Sequence, residues 1–256
     1  MTTIDRAPVT APASRALRAA GWLLHLYTAS GAVLGFLAVV AAVQGHAVRA
    51  LWILLLALVI DGTDGMLARR LRVKETIPGF DGARLDDIVD YLTYVFAPVV
   101  LLWAGGYLPD GPWGAVLAAI PLLASGFQFC RTNAKTEDHY FLGFPSYWNV
   151  VAFYVVVLHL SPAVTAVILV TCAVLVFVPV KYIYPSRTPR FRALNLTLAA
   201  LWLVLYAIIL LGVPDPSRLA VVLSLVYLAY YVIASVYLTV GHRVVSLRPS
   251  ELSEPS

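Results

Sequence analysis

The chain has 256 residues, 61% of them hydrophobic and 12% charged, with a mean hydropathy of +0.83. Soluble domains carry roughly 45–50% apolar and about 25% charged residues, so an ordinary soluble domain is excluded and a polytopic membrane protein is indicated. The net charge of +4 is spread over short loops between apolar runs, which excludes a nucleic-acid-binding face and fits membrane orientation.

From the N-terminus, residues 1–20 read as a cytosolic lead-in carrying Arg6, Arg15 and Arg18, with no cleavable signal peptide. Within it, residues 14–20 suit a short helix lying on the membrane surface. Eight apolar runs follow, bounded by charged or Pro/Gly breaks: 22–43, 50–71, 83–105, 112–130, 145–160, 163–184, 193–212 and 219–240. A bilayer crossing takes about 20 apolar residues; only the fifth run falls clearly short. Residues 242–256 form a polar tail. The fold class is therefore all-α, a polytopic transmembrane bundle of about eight spans over residues 21–241. Cys130 and Cys172 lie in apolar runs and read as small core residues.

A cytosolic N-terminus puts every Lys and Arg except Arg49 and Arg218 on the cytosolic side, as the positive-inside bias requires. Both termini are then cytosolic, and the longer, polar cytosolic connections are where chemistry is expected. The second half does not repeat the first, which disfavours transporters built from paired repeats.

The second run reads LWILLLALVIDGTDGMLARRL and the third opens GARLDDIVDYLTYVFAPVV. Ionisable groups inside apolar helices are costly and mark functional sites. Asp61 and Asp64 stand at i, i+3, and Asp86 and Asp90 at i, i+4, so each pair occupies one helix face. The hairpin joining the two runs brings these faces together near the cytosolic edge. Four crowded carboxylates without His or Cys suit hard divalent cations, Mg²⁺ or Mn²⁺, rather than zinc. Two ions bridged by shared carboxylates would form a clamp for phosphoryl chemistry. Gly62, Gly65 and Gly82 leave bare backbone for a diphosphate or nucleotide, and Arg69 supplies fixed positive charge. Asp87 projects about 100° from Asp86 and reads as a helix cap or supporting group; Asp81 reads as a loop residue.

The string Asp61-x2-Asp64-Gly65-x2-Ala68-Arg69, then Gly82-x3-Asp86-x3-Asp90, resembles the signature of the CDP-alcohol phosphotransferases. The resemblance implies a dinuclear metal site made by Asp61, Asp64, Asp86 and Asp90, with Asp90 as the base that deprotonates the acceptor hydroxyl. It implies a CDP pocket shaped by Gly65, Ala68, Arg69 and Gly82, and action as a homodimer. Twelve residues separate Arg69 from Gly82, longer than the family's usual spacer. That spacer, its flanks and the later segment KTEDHYFLGFPSYWNVVAFY resemble a bacterial subgroup whose substrates are CDP-diacylglycerol and free choline. An inner-membrane location with the site facing the cytosol is implied.

Choline carries a permanent cation without a hydrogen-bond donor, so aromatic faces are its natural host. The candidate choline contacts are Tyr94, one turn past Asp90, Tyr91, Glu137 and Tyr147. Arg131 and Lys135 are candidates for the lipid phosphate, or serve only to enforce topology. Aromatics at the start of the fifth run, and Tyr182 and Tyr184, read as an interfacial belt, and His139 as a loop residue. Two rivals stay open: a transferase using glycerol phosphate, inositol phosphate or serine, and a cation-coupled transporter.

Overall fold

The computed structural model describes residues 14–136, 138, 140–185, 188 and 192–246, with side chains up to residue 240. The lead-in before Ser14, Glu137, His139 and the tail from 247 lie outside the described residues. Helix α1 (Arg15–Val43) starts at Ser14, whose hydroxyl accepts from the Leu17 amide at 3.2 Å. Residues 14–20 are thus the first turns of one long helix, not a separate surface segment. The reason is local: Arg-Ala-Leu-Arg-Ala-Ala contains only strong helix formers and nothing that breaks the run.

Helix α2 (Ala47–Arg70) returns antiparallel, followed by a short α3 (Val73–Thr76). Next, α4 (Gly82–Asp90), a π-helical segment (Tyr91–Phe96) and α5 (Ala97–Ala104) run on as one rod, Gly82–Ala104. Then come α6 (Pro112–Cys130), β1 (Tyr140–Leu142), α7 (Trp148–Val157), α8 (Pro162–Phe177), β2 (Lys181–Ile183), α9 (Arg192–Leu211) and α10 (Arg218–Ser246).

Among the described residues, α1, α2, the Gly82–Ala104 rod, α6, α9 and α10 are long and apolar enough to cross a membrane. All eight expected runs are helical, so the chain is a multi-pass, all-α membrane protein. Two runs are shorter than expected. The fifth gives α7, ten residues and so about 15 Å, half of a hydrocarbon core about 30 Å thick. The sixth stops at Phe177 because Val178 precedes Pro179 and takes the extended conformation (ψ 124°) that a following proline imposes.

Short α7 is buried all round: Trp148, Ala152, Phe153 and Val155 are fully covered, as expected of a helix that is apolar on every face. Phe153 stacks on Tyr206 of α9 with ring centroids 3.8 Å apart, and the Trp148 indole donates to Ser125 Oγ of α6 at 2.6 Å. On the outside, Leu23, Leu26, Phe36, Trp113 and Leu211 are exposed, the apolar face expected toward lipid. Cys172 is half-buried, but Cys130, at the last turn of α6, is exposed rather than in the core.

Two features position the site. Helix α1 carries small residues where it meets the rod; a Cβ at Gly31 would stand 2.6 Å from Val89 Cγ1. Such small-residue faces let membrane helices approach closely. The second is an antiparallel pair, β1 with β2, pairing Phe141 with Tyr182. One face of α10 serves the outer edge of β2: Thr239 Oγ1 accepts from the Lys181 amide at 2.8 Å, Ser235 Oγ accepts from the Ile183 amide at 3.1 Å, and the Tyr231 hydroxyl donates to the Ile183 carbonyl at 3.0 Å. Positions 231, 235 and 239 stand four apart, one stripe of the helix. Without these partners the strand edge would leave buried backbone groups unpaired.

Candidate active site

Helix α2 supplies Asp61, and the rod supplies Asp86 and Asp90 from one face. One carboxylate oxygen from each of the three lies within 4.8 Å of the other two, and all three residues are half-buried. Oxygens about 2.0–2.6 Å from one ion span at most about 5 Å, so the trio fits a hard divalent cation. The Tyr94 hydroxyl donates to Asp61 Oδ2 at 2.5 Å. Its position follows from the π-helical segment that begins right after Asp90, a widened turn of the kind common at functional sites.

Asp64 stands apart from this trio. It lies about 60° around α2 from Asp61, is buried, and accepts from Thr28 Oγ1 of α1 at 2.8 Å. Asp81 is not a free loop residue: its side chain accepts from the Arg84 amide at 3.1 Å and caps α4. Asp87 caps nothing; it pairs with Lys135 at 3.3 Å.

The expected nucleotide-binding positions divide. Arg69 is exposed and within electrostatic reach of Asp64, with one guanidinium nitrogen 3.4 Å from where a Gly65 Cβ would sit. A Cβ at Gly62 would meet nothing within 4 Å, leaving the open backbone expected there. Gly82 has a different reason: a Cβ there would stand 2.7 Å from His25 Cε1 of α1, so its bareness serves helix packing. Ala68 packs beside Leu24, Val73 and Ile77.

The 131–142 segment folds back beside the carboxylates. Lys135 is half-exposed and within electrostatic reach of Asp61, Asp86 and Asp90. Desolvation would lower its pKa, but Asp87, Tyr184 and Asp86 outweigh it and leave the pKa raised, so the ammonium is kept charged. Arg131 is turned to its own chain, donating to Asn133 Oδ1 at 2.9 Å and to the Leu142 carbonyl at 3.4 Å, which leaves it a structural tie between α6 and β1. Asp138 pairs with Lys181 at 2.6 Å. Burial would raise its pKa, but hydrogen bonds from Lys181 and Thr136 and the Lys181 charge prevail and lower it.

Of the expected choline contacts, Tyr94 and Tyr147 adjoin, with ring centroids 5.8 Å apart. Tyr91 instead donates to the Leu122 carbonyl of α6 at 3.0 Å, and Glu137 is outside the described residues. Tyr182 and Tyr184 are not a lipid-facing belt: Tyr182 is buried in β2, and Tyr184 stacks on Phe141 at 4.5 Å. Tyr147 follows Ser146, a fully buried residue with φ 59°, a conformation that costs a non-glycine residue of order 1–3 kcal/mol. Sequence reasoning missed Thr28 and Tyr231. Thr28 gave no signal inside an apolar run, whereas the hydroxyl stripe at 231, 235 and 239 was visible in an uncharged helix.

The model of the CDP-alcohol phosphatidyltransferase family matches residues 24–241. The chain is 41% identical to a phosphatidylcholine synthase of Legionella pneumophila over 227 residues, covering 86% of this chain and 89% of that protein. It is 40% identical to one of Pseudomonas aeruginosa over 213 residues, 83% and 88% of the two chains. A third, from Borreliella burgdorferi, is 35% identical over 220 residues, 85% and 94% of the two.

Proposed function

The chain belongs to the CDP-alcohol phosphatidyltransferase family, and on that premise we propose that it transfers the phosphatidyl group of CDP-diacylglycerol to choline, giving phosphatidylcholine and CMP. The observation that carries this reading is the Asp61, Asp86 and Asp90 trio lying next to a tyrosine floor begun by Tyr94 and Tyr147. Family membership also removes the transporter reading of the intramembrane aspartates.

Asp61, Asp86 and Asp90 would hold Mn²⁺ or Mg²⁺, with Asp64 at hand for a second ion, and the metal would supply charge neutralisation for the diphosphate. Asp90 takes the proton of the acceptor hydroxyl. The freed oxygen bonds to the lipid-linked phosphorus as the bond from that phosphorus to the bridging oxygen breaks, and the electron pair leaves with CMP. Tyr94 holds one oxygen of Asp61 by its hydrogen bond and so sets the orientation of that carboxylate. Thr28 of α1 does the same for Asp64. Arg69, exposed beside Gly65, would meet the diphosphate.

Choline rather than a phosphorylated alcohol is favoured by the cations around the site. A phosphorylated acceptor requires Lys or Arg groups to bind it, yet among the described residues Lys135 is paired with Asp87, Lys181 with Asp138, and Arg131 donates to Asn133 and to the Leu142 carbonyl. The distribution of basic residues and the bacterial sources of the relatives support a bacterial inner membrane with the site facing the cytosol. A homodimer accords with the family resemblance.

The test is an acceptor panel: membranes with CDP-diacylglycerol and labelled choline, serine, inositol phosphate or glycerol phosphate, each before and after chelation. Choline conversion that a chelator stops and added Mn²⁺ or Mg²⁺ restores is expected. Conversion of a phosphorylated acceptor but not choline would reject the acceptor, and turnover surviving chelation would reject the metal site.

A further inference from the structure

Beyond the carboxylate trio lies an aromatic cluster drawn from four distant parts of the chain. Tyr94 comes from the rod, Phe141 from β1, Tyr147 from the start of α7 and Tyr231 from α10. Tyr147 is central: its ring centroid is 5.8 Å from Tyr94, 6.5 Å from Phe141 and 6.2 Å from Tyr231. Tyr147 is also within electrostatic reach of Asp61 and Tyr184.

This cluster is not an interfacial belt. Belt tyrosines sit at the headgroup level with their polar tips wet, whereas Tyr94 and Tyr231 are each only 8% exposed. Tyr231 is held by its hydroxyl on the Ile183 carbonyl at 3.0 Å, which fixes the ring from the strand side. Tyr147 is fixed by a strained turn, where Ser146 has φ 59° and a buried hydroxyl without a hydrogen-bond partner among the described residues. Gly143 at φ 84° begins that turn, and a Cβ there would run into the Val176 carbonyl.

We propose that Tyr147 and Tyr231 form the wall that recognises the quaternary ammonium group of the acceptor, making α10 a specificity-determining element of a site whose reacting carboxylates lie on α2 and α4. The proposal rests on the choline-transfer reading and adds the residues that select the cation. Ring faces within about 6 Å of a desolvated cation attract it through their quadrupole, and an onium without N–H donors gives up no donated hydrogen bond on leaving water, so its dehydration costs less than that of a primary ammonium.

The test uses purified full-length protein in detergent, CDP-diacylglycerol, and two acceptors: choline and its neutral dimethylbutanol isostere, in which carbon replaces nitrogen. Wild type is expected to favour choline. Tyr231→Leu and Tyr147→Leu are expected to raise the KM for choline about tenfold more than the KM for the isostere, so that the preference is lost. Tyr231→Phe, which keeps the ring, is expected to keep the preference. CMP release with the isostere reports that each variant is folded, and choline binding by calorimetry gives a second readout. An equal rise for both acceptors in the leucine variants, or a wild type that uses the isostere as well as choline, would overturn the proposal. If wild type releases no CMP with choline, the transfer reading falls; calorimetric choline binding that Tyr231→Leu does not weaken would then overturn the aromatic wall separately.

Discussion

Replacing Tyr94 by Phe removes a hydrogen bond that orients a carboxylate of the trio. The ring and its neighbour Tyr147 at 5.8 Å remain, while the donor to Asp61 Oδ2 at 2.5 Å is lost. A hydrogen bond to a charged group contributes about 1.5–3 kcal/mol, and about 1.4 kcal/mol corresponds to tenfold in rate. Removing a partner of a metal-binding carboxylate costs about 10–100-fold in metal affinity or activity by independent measure. Asp61 is half-buried, so water can replace the donor in part, and the lower end, about tenfold, is expected. The assay follows CMP release in detergent while Mn²⁺ is titrated. Tyr94→Phe should need about tenfold more metal for half-maximal rate, with the KM for choline unchanged. An unchanged metal requirement, or a change confined to choline, would refute the claim that Tyr94 acts through Asp61.

Asp90→Asn keeps size and shape but cannot take a proton; turnover should fall at least about a hundredfold with thermal stability unchanged, and near-normal turnover would remove Asp90 as the base. Ser235→Ala strips the acceptor from the Ile183 amide, leaving a buried N–H unpaired at a cost of about 1–3 kcal/mol, read as a lower unfolding temperature in detergent. The Asp138 and Lys181 pair predicts a pH signature. Because the folded pKa of Asp138 is lowered, its stabilisation is complete above the unfolded value near about 3.9 and is lost as pH falls through the folded one. Asp138 is partly exposed, so the gain is below about 1 kcal/mol. The stability gap between wild type and Asp138→Asn should therefore close on acidification below about pH 4; a gap that widens there would reverse the sign.

The sequence carried the membrane fold and the reactive carboxylates for a common reason: both are properties of one helix at a time. Apolar length alone decides whether α2 or α9 can cross a bilayer. Helical periodicity alone puts Asp86 and Asp90 on one face. Where single-helix rules met their limits, the reading slipped. Residues 14–20 joined α1 because nothing stopped it, and the sixth run ended early at the residue before Pro179.

Only the tertiary structure decided which groups meet. Asp64 shares a face with Asp61 by spacing, yet it lies outside the close trio and is bound by Thr28 of α1. A Cβ at Gly82 would run into His25 of α1, a contact that no local pattern announces. Tyr147 and Tyr231 lie 84 positions apart in the chain and adjoin in space. Their meeting is set by β2 docking on the hydroxyl stripe of α10. Periodicity fixes the direction of a side chain within its own helix, but a partner on a distant helix depends on packing angles and strand edges that no local repeat encodes.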